Sequence, residues 1–360
     1  RPLLGDTLSI TGKEQRKFSL QGPLFAAATK SDGAAPVPDI SALGNATSKP
    51  QLVPEDLTAS AGIGWQSAQY FGLTAGKANI ETKLEKGIVS ILPLDVPISE
   101  GKLTATPWVY LNEAGIPVVL SKGPLLEEVR ISPELCRGWL RYVQPAIADA
   151  TQAEGKFSVG IEQAQVPLLA PRSAAVKSTL TIHGGQVGPG PLAREYLGSV
   201  QKVLAVIKPA GGGGLLDSNK GWIIFPEQKV PVVVQDQWIY HQGMIMQIGN
   251  VQVITQGRVG MDDRLELVMS IPVQDSWLRD SKAGALKGKT INIPIGGTVT
   301  APVPNIGGVI SDLTKQILGG SVNDLLKGEL NKGKGLLDKE AGKLLEGLFK
   351  PKKSVAPHPY

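Results

Sequence analysis

The sequence predicts a mainly β fold with accessory helices, built around an antiparallel meander. Three observations carry this. Between residues 61 and 131, short apolar runs recur about every ten residues. Gly and Pro are abundant, at 43 and 27 of 360 residues, and they fall between those runs without the strict period of collagen. The connectors are also too short for parallel crossovers, so neighbouring strands must run antiparallel.

The elements follow in order. Residues 1–30 read as strands of an incoming sheet, with Thr7 to Thr11 the clearest. Residues 31–60, rich in Ala, Pro, Ser and Asp, read as a loop or disordered insertion. Residues 61–305 form the main β region. Its strands include Ile80–Leu84, Gly87–Leu92, Leu94–Ile98, Gly101–Ala105 and Trp108–Leu111. Two helices interrupt it. One spans about 133–153, opened by a Ser132 cap and Pro133. The other spans 191–207, with Leu192, Tyr196, Val200, Val203, Leu204 and Ile207 on one face. Residues 221–273 are the most β-like. Residues 306–349 are predicted as short amphipathic helices, and 350–360 as a basic tail.

Composition narrows the function. Hydrophobic residues make up 42% and charged residues 19%, enough apolar material for a sizeable core. Aromatics at 5% argue against a stacking platform for single strands, so no nucleic-acid partner is expected. The net charge of +5 includes Lys350, Lys352 and Lys353 near the end, which suit an anionic surface or a merely solvated tail. The single Cys136 precludes an intrachain disulfide and reads as a buried structural thiol. No apolar run approaches the roughly 18 residues of a membrane span. The three histidines, His183, His241 and His358, lack metal-ligand spacing, and His241 reads as a surface or turn residue. The run Gly185–Pro191 has prolines where a phosphate cradle needs N–H donors, so it reads as a rigid turn feeding a helix. No catalytic, metal or cofactor site is expected.

An apolar-Pro-apolar triplet recurs at Val96-Pro97-Ile98, Val166-Pro167-Leu168, Val230-Pro231-Val232, Ile271-Pro272-Val273 and Ile293-Pro294-Ile295. Proline donates no ladder hydrogen bond, so each triplet predicts an edge, a strand start or a bulge. The order from Trp238 to Pro272, with Gln256-Gly257-Arg258-Val259-Gly260 and Leu265-Glu266-Leu267-Val268-Met269-Ser270-Ile271-Pro272, resembles the closing repeats of AsmA-like and TamB-like proteins. The stretch Ile291 to Pro302 resembles that group's ending. More loosely, Cys136 to Ala153, with Trp139 and Asp149, is similar to large envelope proteins of planctomycete-type bacteria.

The resemblance implies an elongated, twisted antiparallel sheet curled into a groove with an apolar lining. It also implies a non-enzymatic bacterial envelope protein, periplasmic and membrane-associated, that binds or conducts lipid in outer-membrane biogenesis or lipid homeostasis. An anchor or signal upstream of residue 1 is expected with it. The candidate lipid contacts are Ile88, Ile91, Val232, Val234, Met246, Ile248, Val253, Leu265, Leu267 and Met269. Leu337, Leu344, Leu348, Lys350, Lys352 and Lys353 are candidates for a membrane surface, or else pack as cover on the sheet. Three alternatives stay open. The apolar face can be the core of an ordinary sandwich. The protein can be an assembly factor binding an outer-membrane β-barrel through its sheet edges. It can also be an enzyme on envelope polysaccharide whose carboxylates a single sequence does not reveal.

Overall fold

The computed structural model describes residues 9–12, 18–23, 52–188, 190–207, 222–278 and 283–329. The candidates Leu337 to Lys353 and most of the 31–60 insertion lie outside them. The described strands form one sheet of 21 strands, all paired antiparallel.

Several strands are the two halves of one longer strand, broken by a kink. β1 (Ser9–Thr11) and β2 (Phe18–Gln21) pair with β4 (Ser67–Tyr70) and β3 (Thr58–Trp65). These pair in turn with β5 (Leu73–Ala75) and β6 (Ala78–Glu85). Next come β7 (Ile88–Ile91) with β8 (Leu94–Ile98), β9 (Gly101–Ala105) with β10 (Pro107–Tyr110), and β11 (Pro117–Leu120) with β12 (Gly123–Arg130). The kinks fall at Gln66, Gly76–Lys77, Leu92–Pro93, Thr106 and Ser121–Lys122. Those at Pro93, Thr106, Ser121 and Lys122 line one cleft with Ile161, so the bends of successive strands adjoin.

The second half of the sheet uses longer strands. β13 (Ala153–Pro167) and β14 (Ala175–Val187) form the largest hairpin. β15 (Ile223–Phe225) and β16 (Gln228–Gln235) follow, then β17 (Trp238–Ile248), β18 (Val251–Gly260), β19 (Leu265–Pro272), β20 (Thr290–Thr298) and β21 (Ala301–Pro304). β15 and β16 are two segments that both lie between β14 and β17, and from β16 on each strand pairs with the next, so the topology is an up-and-down meander.

The helices gather on one face of the second half. α1 (Pro133–Arg137) stops at Gly138, and single 3₁₀ turns at Leu140–Tyr142 and Pro145–Ile147 replace the one helix expected over 133–153. Gly138 and Pro145 are the physical breaks. α2 (Pro191–Ile207) matches its expected bounds. Its first turn is held by Asp149, whose Oδ2 accepts from the Leu192 N–H at 2.7 Å. α3 (Asp275–Leu278) is a single turn, and α4 (Ile306–Glu329) runs unbroken through Gly319 and Gly320, where separate short helices were expected. α2 packs on α4, β21 and the 145–147 turn, and α4 packs on β20.

The proline triplets sit mostly in paired strands rather than at edges. Pro231 lies opposite Thr179, with β14 on one side of its strand and β17 on the other. It follows the last β16–β17 pair, Val232 with His241, where β17 bulges at Gln242–Gly243. There the ladder asks for no donor, which is why proline fits.

One apolar core joins the helices to the sheet. Tyr196, Val200, Val203, Leu204 and Ile207 of α2 are buried against Ile223, Val230, Met244, Met246 and Met269 of the strands. Truncating Leu204, which has no exposed surface, removes contacts from both layers. Leu204→Ala is expected to cost about 2–5 kcal/mol in urea unfolding, and the same change at half-exposed Leu84 clearly less.

Candidate apolar face and buried polar chain

Residues directly opposite each other in an antiparallel ladder share a face. One such row runs Leu20, Ala59, Leu84, Val89, Val109, Val118, Val166. Every member is apolar. The neighbouring row on the opposite face runs Ser19, Ser60, Lys83, Ser90, Trp108, Val119, Gln165. It is polar over its first four strands. The first half of the sheet is therefore amphipathic, with alternation as clear as Ile80-Glu81-Thr82-Lys83-Leu84-Glu85.

A second row on the apolar face runs Val96, Leu103, Leu126, Val159, Leu180, Val230. It crosses from the first half into the helix-covered core, where Val230 has no exposed surface. The apolar face is thus continuous along the sheet, but its cover is not. Ala59, Leu84, Val89, Val109, Val118 and Val166 are only half-buried, and Leu20 is 40% exposed. No described helix packs substantially on β2, β3, β6, β7, β10 or β11.

The sequence-derived lipid contacts divide across this boundary. Ile91 lies on the open apolar face, opposite Thr82 and half-buried. Ile88 lies on the other face, opposite Glu85 and Tyr110. Val234 is half-buried opposite Val176 and Ile239. Val232, Met246, Ile248, Val253, Leu265, Leu267 and Met269 are at most 8% exposed, inside the core beneath the helices. The expectation of an open groove at these seven positions is corrected: α2, α4 and the segment bearing Trp277 and Leu286 cover them. The open face lies nearer the N-terminus. Leu84, Val109 and Val118 belong to it and were missed, although the alternation in β6 carried the signal.

Three of the buried polar side chains form a chain within the core. The Gln144 Nε2 donates to Thr255 Oγ1 at 3.1 Å and approaches Met244 Sδ at 3.5 Å. The Thr255 hydroxyl in turn meets His241 Nε2 at 3.1 Å. His241 is 3% exposed, not a surface or turn residue, because the bulge in β17 turns it into the core. Its Nδ1 has no partner, so burial pushes its pKa down to about 4. The chain ties the 145–147 turn to β17 and β18. Cys136, also buried, is pushed up to about 12 by desolvation, which keeps its thiol protonated and unreactive.

Among the described residues, no group of three or more His, Cys, Asp or Glu gathers as a metal site, and no helix is long and apolar enough to cross a membrane. No protein-family model matches the chain, and no curated protein or solved structure is significantly similar to it. The fold defines the class: a mainly β protein with one large antiparallel sheet and a few helices.

The buried imidazole makes stability depend on pH. The folded state holds His241 neutral, while the unfolded chain binds a proton near the ordinary value of 6.5. Stability from this site is therefore complete above pH 6.5 and is lost as pH falls toward about 4. The loss is on the order of 3 kcal/mol. Urea unfolding across this range should show the decline in the parent chain and a shallower one in His241→Gln.

Proposed function

We propose that this is a non-enzymatic lipid-binding protein of the bacterial envelope, which holds acyl chains on the open apolar face of its sheet. One observation carries the reading: the row from Leu20 to Val166 is wholly apolar and only half-buried, while the same face further along is closed core. A face of that extent requires a nonpolar occupant or partner. The kinks in successive strands bend the sheet along an adjoining line, which suits an elongated ligand. The envelope setting, and a role in outer-membrane biogenesis or lipid homeostasis, rest on the AsmA/TamB resemblance.

A second reading has its own support. Among the described residues, β1, β2 and β21 each pair along one side only, and β2 exposes Phe18 at 67% and Leu20 at 40%. Strand addition at the β2 edge by an outer-membrane β-barrel partner would use those free backbone groups.

Native mass spectrometry of protein from its natural source, with lipid extraction, separates the two. Under the lipid reading, a long-chain lipid accompanies the parent chain at stoichiometric ratio. Val118→Glu should lose that lipid and remain folded. Met246→Glu should unfold, because it places an unpaired charge in the closed core. A lipid-free parent chain, or Val118→Glu retaining full lipid, would contradict the groove and favour the edge.

A further inference from the structure

The turn between β13 and β14 carries two consecutive leucines in open solvent. Leu168 is 53% exposed and Leu169 is 73% exposed. Neither contributes to the core, yet their backbone is firmly held. The Leu168 N–H donates to the Ile116 carbonyl at 3.1 Å, and the Leu169 N–H to the Gly115 carbonyl at 3.2 Å. Pro117 pairs with Pro167, so this turn stands beside the one joining β10 to β11. That second turn is tied to the next, because the Leu111 N–H donates to the Gly87 carbonyl at 2.9 Å. Asn112 then fixes Val53 through two hydrogen bonds, each 3.0 Å. The adjacent Leu52 is 58% exposed. Three turns and the segment at 52–53 therefore make one rim at one end of the open face.

The rim adjoins the apolar strip. Leu168 stands in the turn two residues beyond Val166, directly after β13 ends at Pro167. Val166 is the last member of the open row.

We propose that this rim seats the protein on a bilayer, with Leu168, Leu169 and Leu52 inserted among acyl chains. The open strip then begins where the hydrocarbon of the membrane ends. The proposal deepens the lipid-binding reading and rests on it. A bilayer is favoured over a folded partner by exposure and by bonding. The leucines sit exposed on a turn, and both of their N–H groups are already bonded within the rim, so strand addition there has no donor. A fluid hydrocarbon phase takes up such a turn without needing a complementary surface. The exposed charges of the rim, Lys86, Glu113 and Arg172, are of mixed sign, so insertion does not require anionic lipid.

The test is flotation of the full chain with phosphatidylcholine vesicles, with bound lipid measured in parallel by native mass spectrometry. The parent chain should float, and the double variant Leu168→Asn, Leu169→Asn should partition about tenfold more weakly. Both positions are exposed, so the variant should fold normally and keep its co-purified lipid. Lost flotation with retained lipid supports the rim. Lost flotation in a chain that carries no lipid at all also supports the rim, while sinking the groove reading. A double variant that floats like the parent, or a parent that does not float, overturns the proposal.

Discussion

Antiparallel strands send alternate side chains to opposite faces, and in this sheet successive strands place their apolar set on the same face. That constraint governs the rest. Backbone pairing satisfies the polar main chain, but an apolar face left in water is unfavourable by about 25 cal/mol for each Å². From β13 onward the chain supplies its own cover. α2 and α4, with the short turns after α1, lie on the face and bury Val230, Met246, Val253 and Met269 almost completely. Over β2, β3, β6, β7, β10 and β11 no comparable cover is present among the described residues.

The two halves also differ in how rigidly they are specified. The covered half is locked by a two-layer core and by the buried chain from Gln144 through Thr255 to His241. Each member of that chain sits on a different element, so it fixes the register between the helical turns and the sheet. The open half is a single layer of kinked strands. Its breaks at Leu92–Pro93, Thr106 and Ser121–Lys122 adjoin, which bends several strands together while leaving their pairing intact on both sides. A scaffold joined to a bent apolar surface is a sound arrangement for holding a flexible apolar ligand.

Much of the fold was legible in the sequence because it depends on local pattern. β8 and β9 appear at their expected bounds, and α2 follows from its spacing of apolar residues. What was not legible depends on long-range packing. Met246 and Met269 look like groove residues in a strand, and only the docking of α2 and α4 shows that they are core. His241 beside Gly243 looks like a turn residue, and only the bulge against β18 turns it inward. The helix expected after Ser132 begins as foreseen, with the Ser132 hydroxyl accepting from the Leu135 N–H, but Gly138 ends it within five residues.

The central claim is that the two faces of the first half of the sheet meet different environments. Photo-crosslinking tests this directly, with p-benzoylphenylalanine placed at Val109 on the apolar face or at the adjacent Trp108 on the opposite face, in cells of the natural source. The account predicts lipid adducts from position 109 and essentially none from position 108. Equal lipid labelling at both positions, or protein adducts alone at position 109, would contradict it.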